Sequence, residues 1–250
     1  MKTIQFLPAI LFCALMISCG SDDDKETIAP TQTFLVNNET ITDMNDGMVL
    51  QETEFSYDAN NRLVSLMSGT ESKTFTWGAN GKIVKMTSGS GSAMRETIYT
   101  YNSNGALTGE QRNHPATSWV EVRYEYTYFA DRYEEKQFNS DGEYIYRNAY
   151  YYTADKKNII KIENFYGTGE PIGSKEFLYD NKIGLEQLAP YSQMPEPFYN
   201  ANNAVTQTNR NTSNVVTYTA EIPFEYDVLG HPTSVTRSGF LKHGFGYLVK

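Results

Sequence analysis

The side chains able to do acid–base or metal chemistry are few or scattered in this 250-residue sequence. Its three histidines are His114, His231 and His243, and the first two precede prolines, which marks them as turn or surface residues. No pair has the i, i+4 spacing that presents two imidazoles to one zinc ion. Asp43-Met44-Asn45-Asp46-Gly47 has the oxygen ligands of a calcium loop. Its glycine stands fifth rather than sixth, so it reads as a turn. Neither a nucleophile-elbow Gly-x-Ser-x-Gly nor a phosphate or dinucleotide loop occurs. No metal, cofactor or catalytic residue is expected. The thirty carboxylates leave open a glycosidase pair, which only separation in space identifies. A net charge of −9 argues against a nucleic-acid partner, which needs a clustered basic face.

What remains is non-covalent chemistry by aromatic rings, supplied by 19 tyrosines, 13 phenylalanines and 2 tryptophans. Aromatic faces stack on the apolar faces of sugars while nearby hydroxyls and amides bond the sugar oxygens. Trp77, Tyr191, Phe198 and Tyr199 are the candidate ligand-binding residues, a glycan or a surface protein being the expected partner. The competing reading is that such rings are core, the whole chain then being a structural or adhesive scaffold.

Most rings fall into one pattern, aromatic-x-aromatic, at Phe55/Tyr57, Phe75/Trp77, Tyr99/Tyr101, Tyr126/Tyr128, Tyr150/Tyr152, Phe177/Tyr179 and Phe224/Tyr226. Residues i and i+2 of a strand share a face, so each pair puts two rings on one side and a polar residue such as Ser56, Thr76 or Thr100 on the other. Four residues past the second ring stand Asn61, Gly81, Gly105 and Gly230, types that enter the left-handed region easily. Leu63, Ile83 and Leu107 then start a second apolar run. The unit is a β-hairpin. Copies at Tyr128, Tyr152 and Tyr179 carry Arg132, Lys156 and Ile183 at the turn position, which predicts shifted or longer turns. Second rings are 20 to 27 residues apart until a final gap of 47.

Tyr57-Asp58 with Arg62-Leu63, and Tyr226-Asp227 with Gly230, resemble the YD repeat of the RHS family, Tyr-Asp-x-x-Gly-Arg-Leu. Degenerate copies on a lipoprotein also resemble a gut-commensal lipoprotein domain with a porin-like fold. The resemblance implies architecture and transfers no catalytic residue. The expected fold is all-β, antiparallel hairpin repeats in a long curled meander or porin-like barrel, and water-soluble, since the alternate positions are Ser, Thr, Glu and Lys rather than a lipid-facing band.

Residues 1–18 read as an export signal, with Lys2 before a short apolar run. Met16-Ile17-Ser18-Cys19 looks like a lipobox, making Cys19 the lipidated residue and the membrane a partner through that anchor alone. The only other cysteine, Cys13, lies inside the signal, so the mature chain has no internal disulfide. Ser21, Asp22, Asp23 and Asp24 read either as a solvated linker or as an address for the outer face of the outer membrane. The expected domains are residues 19–32 as lipidated tether and 33–250 as one β-repeat unit. An irregular insertion is expected at about 181–222, where Pro190, Pro195, Pro197 and a run of asparagines interrupt the pattern.

Overall fold

The computed structural model describes residues 33–117 and 119–249. Cys19 and the Ser21 to Asp24 stretch lie outside the described residues. From residue 33 onward the chain forms one compact unit. Its strands are β1 (Phe34–Asp43), β2 (Val49–Tyr57), β3 (Leu63–Ser68), β4 (Glu71–Trp77), β5 (Ile83–Ser88) and β6 (Arg95–Tyr101). Then come β7 (Leu107–His114), β8 (Trp119–Tyr128), β9 (Arg132–Phe138), β10 (Tyr144–Tyr152), β11 (Ile159–Tyr166) and β12 (Pro171–Tyr179). After residues 180–203 follow β13 (Ala204–Arg210), β14 (Val216–Glu221), β15 (Phe224–Tyr226), β16 (Pro232–Arg237) and β17 (Leu241–Val249).

All seventeen strands belong to one antiparallel sheet. Consecutive strands pair from β1 to β14 and again from β15 to β17, and β17 returns to pair with β1 from Leu35↔Leu248 to Asp43↔Leu241. Among the described residues, β14 and β15 are the sequence neighbours that form no ladder, although only Ile222 and Pro223 join them. The sheet is therefore a curled meander that stops one pairing short of closure.

The predicted alternation accounts for the curl. Phe55, Phe75, Tyr99 and Tyr126 are buried while Ser56, Thr76, Thr100 and Thr127 are exposed. A flat sheet would leave those rings wet, whereas curling turns them onto one another. Leu63, Ile83, Leu107 and Ile159, each the first residue of a strand, complete the core.

The second ring of most pairs, Tyr152 excepted, has a different task. Register shifts fall at Ser56/Tyr57, Thr76/Trp77 and Thr100/Tyr101, bulges that re-aim the terminal side chain. Each then reaches the carbonyl near the start of the neighbouring strand: Tyr57 to Val36 (2.6 Å), Trp77 Nε1 to Leu63 (2.8 Å), Tyr101 to Ile83 (2.6 Å), Tyr128 to Leu107 (2.8 Å) and Tyr179 to Ile159 (2.6 Å). Tyr and Trp suit this place because an apolar body carries a donor at its tip. Tyr247 does the same to Pro232, and Phe245-Gly246-Tyr247 is thus a further copy of the pair. At the unpaired step the pattern breaks, and the Tyr226 hydroxyl bonds Asp180 and Asn203 instead. A Tyr101→Phe substitution removes one such bond without changing the ring. It is expected to cost about 1 kcal/mol, read as a lower urea midpoint at unchanged slope; an unshifted midpoint would show that these bonds contribute nothing.

Asp58 explains the turn signature. Its Oδ1 accepts the amides of Asn60 (2.8 Å) and Arg62 (3.0 Å), and Asn61 sits at φ 60°. Asn102, Asn139, Asn211 and Asp227 accept the same pair of amides in their own turns. The expectation for the glycine-less copies needs correction. Lys156 keeps the left-handed conformation at φ 56°, so that turn is not shifted. At Tyr128 the connection is shorter, only residues 129–131, and at Tyr179 the chain leaves the sheet altogether. The histidines are corrected as well: His231 is buried and packs against Phe34 with ring centroids 4.3 Å apart, and half-buried His243 has its Nδ1 2.7 Å from Glu39 Oε1.

Candidate functional site

The irregular segment ends at residue 203, not about 222, because Ala204–Arg210 and Val216–Glu221 pair as a hairpin. Asn211 and Asn214 are its turn, with Asn214 at φ 61°. The end of the asparagine run thus supplies a hairpin turn rather than part of an irregular insertion.

Residues 180–203 lie across one end of the curled sheet. Two short 3₁₀ turns, Leu185–Gln187 and Tyr191–Gln193, are separated by Pro190 and followed by Pro195 and Pro197, which prevent a longer helix. The segment is tied to strands all round the curl, and its polar side chains satisfy donors that the ladders leave free. Val36 N donates to Ala189 O (2.8 Å), Leu63 N to Gln193 Oε1 (2.6 Å) and Ile159 N to Asn200 Oδ1 (2.8 Å). Asn202 and Asn158 exchange two amide bonds of 3.0 Å. Buried backbone donors at strand ends need such partners. Leu185, Leu188, Tyr191, Met194 and Phe198 face inward onto the core. The segment is a plug.

Beneath it lies a cavity of about 390 Å³ between the plug and the sheet. The sheet supplies Tyr133, Tyr150 and Phe177, and the plug supplies Tyr191, Phe198, Tyr199, Glu186 and Glu196. Tyr133 and Tyr150 stack at 4.4 Å with 5° between their planes, and Phe198 lies 5.1 Å from Tyr152. Three of the four predicted ring residues therefore meet. Tyr191 is held edge-on between Phe55 (6.0 Å) and Phe245 (6.4 Å), its hydroxyl donating to Glu39 Oε2 at 3.0 Å. Tyr199 donates to the Met194 carbonyl.

Trp77 is not part of this group. Its Nε1 is used by Leu63, and the Arg62 guanidinium lies 5.5 Å from its ring. Together with Tyr199, Asn61 and Gln193 it borders a second, outward depression of about 460 Å³. None of the four rings is exposed; all are half-buried and pack against other groups.

The carboxylates were not singled out by the sequence. In the ladders Glu110 stands opposite Tyr99 and Glu135 opposite Tyr126, which places both on the inner face with the rings. Burial raises Glu110, Glu135 and Glu186 above the usual carboxylate range. Arg112 offsets this at Glu110, a 2.7 Å hydrogen bond from Asn148 at Glu135, and Asn200 and then Arg237 at Glu186. Glu196 has no such relief. Its side chain is exposed by surface area, yet it lines the cavity beneath the plug. Desolvation, then the carboxylates of Glu186, Glu110 and Glu135, push it up to about 7. Among the described residues it accepts no hydrogen bond and meets no cation. Glu39 is the contrast. Burial raises it, but hydrogen bonds from His243 and Tyr191 outweigh that and hold it below the usual range.

No family model matches the chain, and no curated protein matches it by sequence. Two porin-like proteins are among the solved structures that share its fold. A porin-like protein from Bacteroides uniformis superposes with a TM-score of 0.54 at 13% identity, covering 86% of this chain and 96% of that one. A porin-like protein from Bacteroides vulgatus superposes with a TM-score of 0.54 at 11% identity, covering 86% and 98%. At such identity the likeness establishes a porin-like β fold.

Proposed function

We propose that this chain is a lipid-anchored protein of the outer membrane, facing the cell exterior, whose curled sheet is a non-catalytic binding module for a short glycan segment. The observation that carries the reading is the plugged cavity. A space of about 390 Å³ walled by seven aromatic rings, with Glu186, Glu196 and Asn200 as polar points, has the size and chemistry of a small-molecule site. Stacked rings suit the apolar faces of sugars, and the amide and carboxylates suit their hydroxyls. The anchor rests on Met16-Ile17-Ser18-Cys19, the outward orientation on Ser21 to Asp24, and the outer-membrane association on these together with the likeness to the two porin-like proteins.

Thermal unfolding of the purified protein against a panel of host and dietary glycans tests the site. A binding glycan is expected to raise stability saturably, by about 2.7 kcal/mol at a hundredfold excess over its Kd, and Phe198→Ala is expected to abolish the rise. No shift with any glycan would instead support a structural or adhesive scaffold. Protease treatment of intact cells checks orientation, and a chain left uncut would refute outward exposure.

A further inference from the structure

We infer that the ligand of the plugged cavity carries a protonated amine and that Glu196 is the group that receives it. The inference rests on the reading of this cavity as the binding site and specifies the ligand's charge.

Every other carboxylate in the concavity has a protein partner that offsets its charge: Arg112 beside Glu110, Asn148 on Glu135, Asn200 and Arg237 on Glu186. Glu196 alone of these four has none among the described residues, and like Glu186 it is open to solvent and so to a ligand. A carboxylate kept inside a concave site, with three like charges near enough to be felt, is costly while unpaired. A bound cation removes that cost. A neutral sugar leaves it in place, and an anion adds to it.

The walls specify what kind of cation. A hard metal ion needs six or more oxygen ligands, whereas this cavity presents chiefly seven aromatic rings, Tyr133, Tyr150 and Tyr191 among them. Ring faces carry partial negative charge and attract an ammonium group placed over them, while the attached carbons are covered by apolar surface. An organic amine satisfies both the rings and the carboxylate. Amino sugars and polyamines share this chemistry.

Isothermal titration at pH 7.5 in 150 mM salt, with three probes, separates the outcomes. A glucosamine trimer and an N-acetylglucosamine trimer have the same length and ring faces but differ in charge, and spermidine has the charge without the sugar. The glucosamine trimer is expected to bind at least tenfold more tightly than its acetylated counterpart. That preference should vanish in Glu196→Gln and survive in Glu170→Gln, whose exposed carboxylate lies in the β11–β12 turn. Circular dichroism of the variants checks that they fold. Spermidine binding that Glu196→Gln abolishes, without binding of either trimer, supports the amine and overturns the glycan. Equal or tighter binding of the acetylated trimer overturns the amine and leaves the glycan reading standing. Binding by none of the three overturns both.

Discussion

A Leu63→Ala variant is expected to lose about 3 to 4 kcal/mol of unfolding free energy. Leu63 is fully buried, with 0% of its surface exposed. It is also where three structures meet: its amide bonds plug residue Gln193, its carbonyl accepts from Trp77, and its side chain fills the core under the plug. Large-to-small changes at such sites cost about 2 to 5 kcal/mol, more when the surroundings cannot collapse into the space. The plug is bonded to strands round the curl and the sheet is laddered, so neither side can move in. Leu229→Ala, in an exposed turn, should change stability by less than about 0.5 kcal/mol. Urea unfolding of both variants decides the matter. Similar losses in the two would show that the plug and the sheet are not packed against each other at Leu63.

Stability is expected to fall as pH rises from about 4.5 to 7, and Glu196→Gln is expected to remove most of that fall. The sign follows from linkage. Glu196 is raised from 4.5 to about 7 in the folded chain, first by desolvation and then by Glu186, Glu110 and Glu135. The native state therefore holds the proton more tightly than the unfolded state, so stability is greatest below the unfolded value and is lost as pH climbs through the folded one. Because water reaches the side chain, screening reduces the effect, and we expect about 1 to 2 kcal/mol between pH 5 and pH 8. Glu110, Glu135 and Glu186 shift in the same direction, so a shallower decline persists in the variant. Urea midpoints at the two pH values give the comparison. Parallel profiles for wild type and variant would place Glu196 in ordinary water and remove its electrostatic cost.

The two expectations show different degrees of dependence on the tertiary fold. Leu63 was legible from sequence as the residue that restarts the strand after Tyr57-Asp58-Ala59-Asn60-Asn61. The turn there is built from contacts within five residues, with Asp58 accepting amides and Asn61 taking positive φ. Alternation between Phe55 and Ser56 was legible for the same reason, since the side-chain period of a strand is a local property. Glu196 was not legible. It lies between Pro195 and Pro197, a context that reads as loop, and its significance depends on Glu110 and Glu135 from distant strands.

The sequence by itself determined the hairpin unit, the all-β class and a curl that turns the rings inward, because propensity, period and turn residues act over a few neighbouring positions. Only the tertiary structure decided the rest. It paired β17 with β1, left β14 and β15 unpaired, and assigned Tyr57, Trp77 and Tyr101 to strand-end carbonyls rather than to an open face. It made residues 180–203 a plug rather than a loose insertion and gathered Glu186 and Glu196 among seven rings. The reason is that hydrogen-bond completion and desolvation are set by which groups the curl brings within a few ångströms. Spacing along the chain does not contain that information.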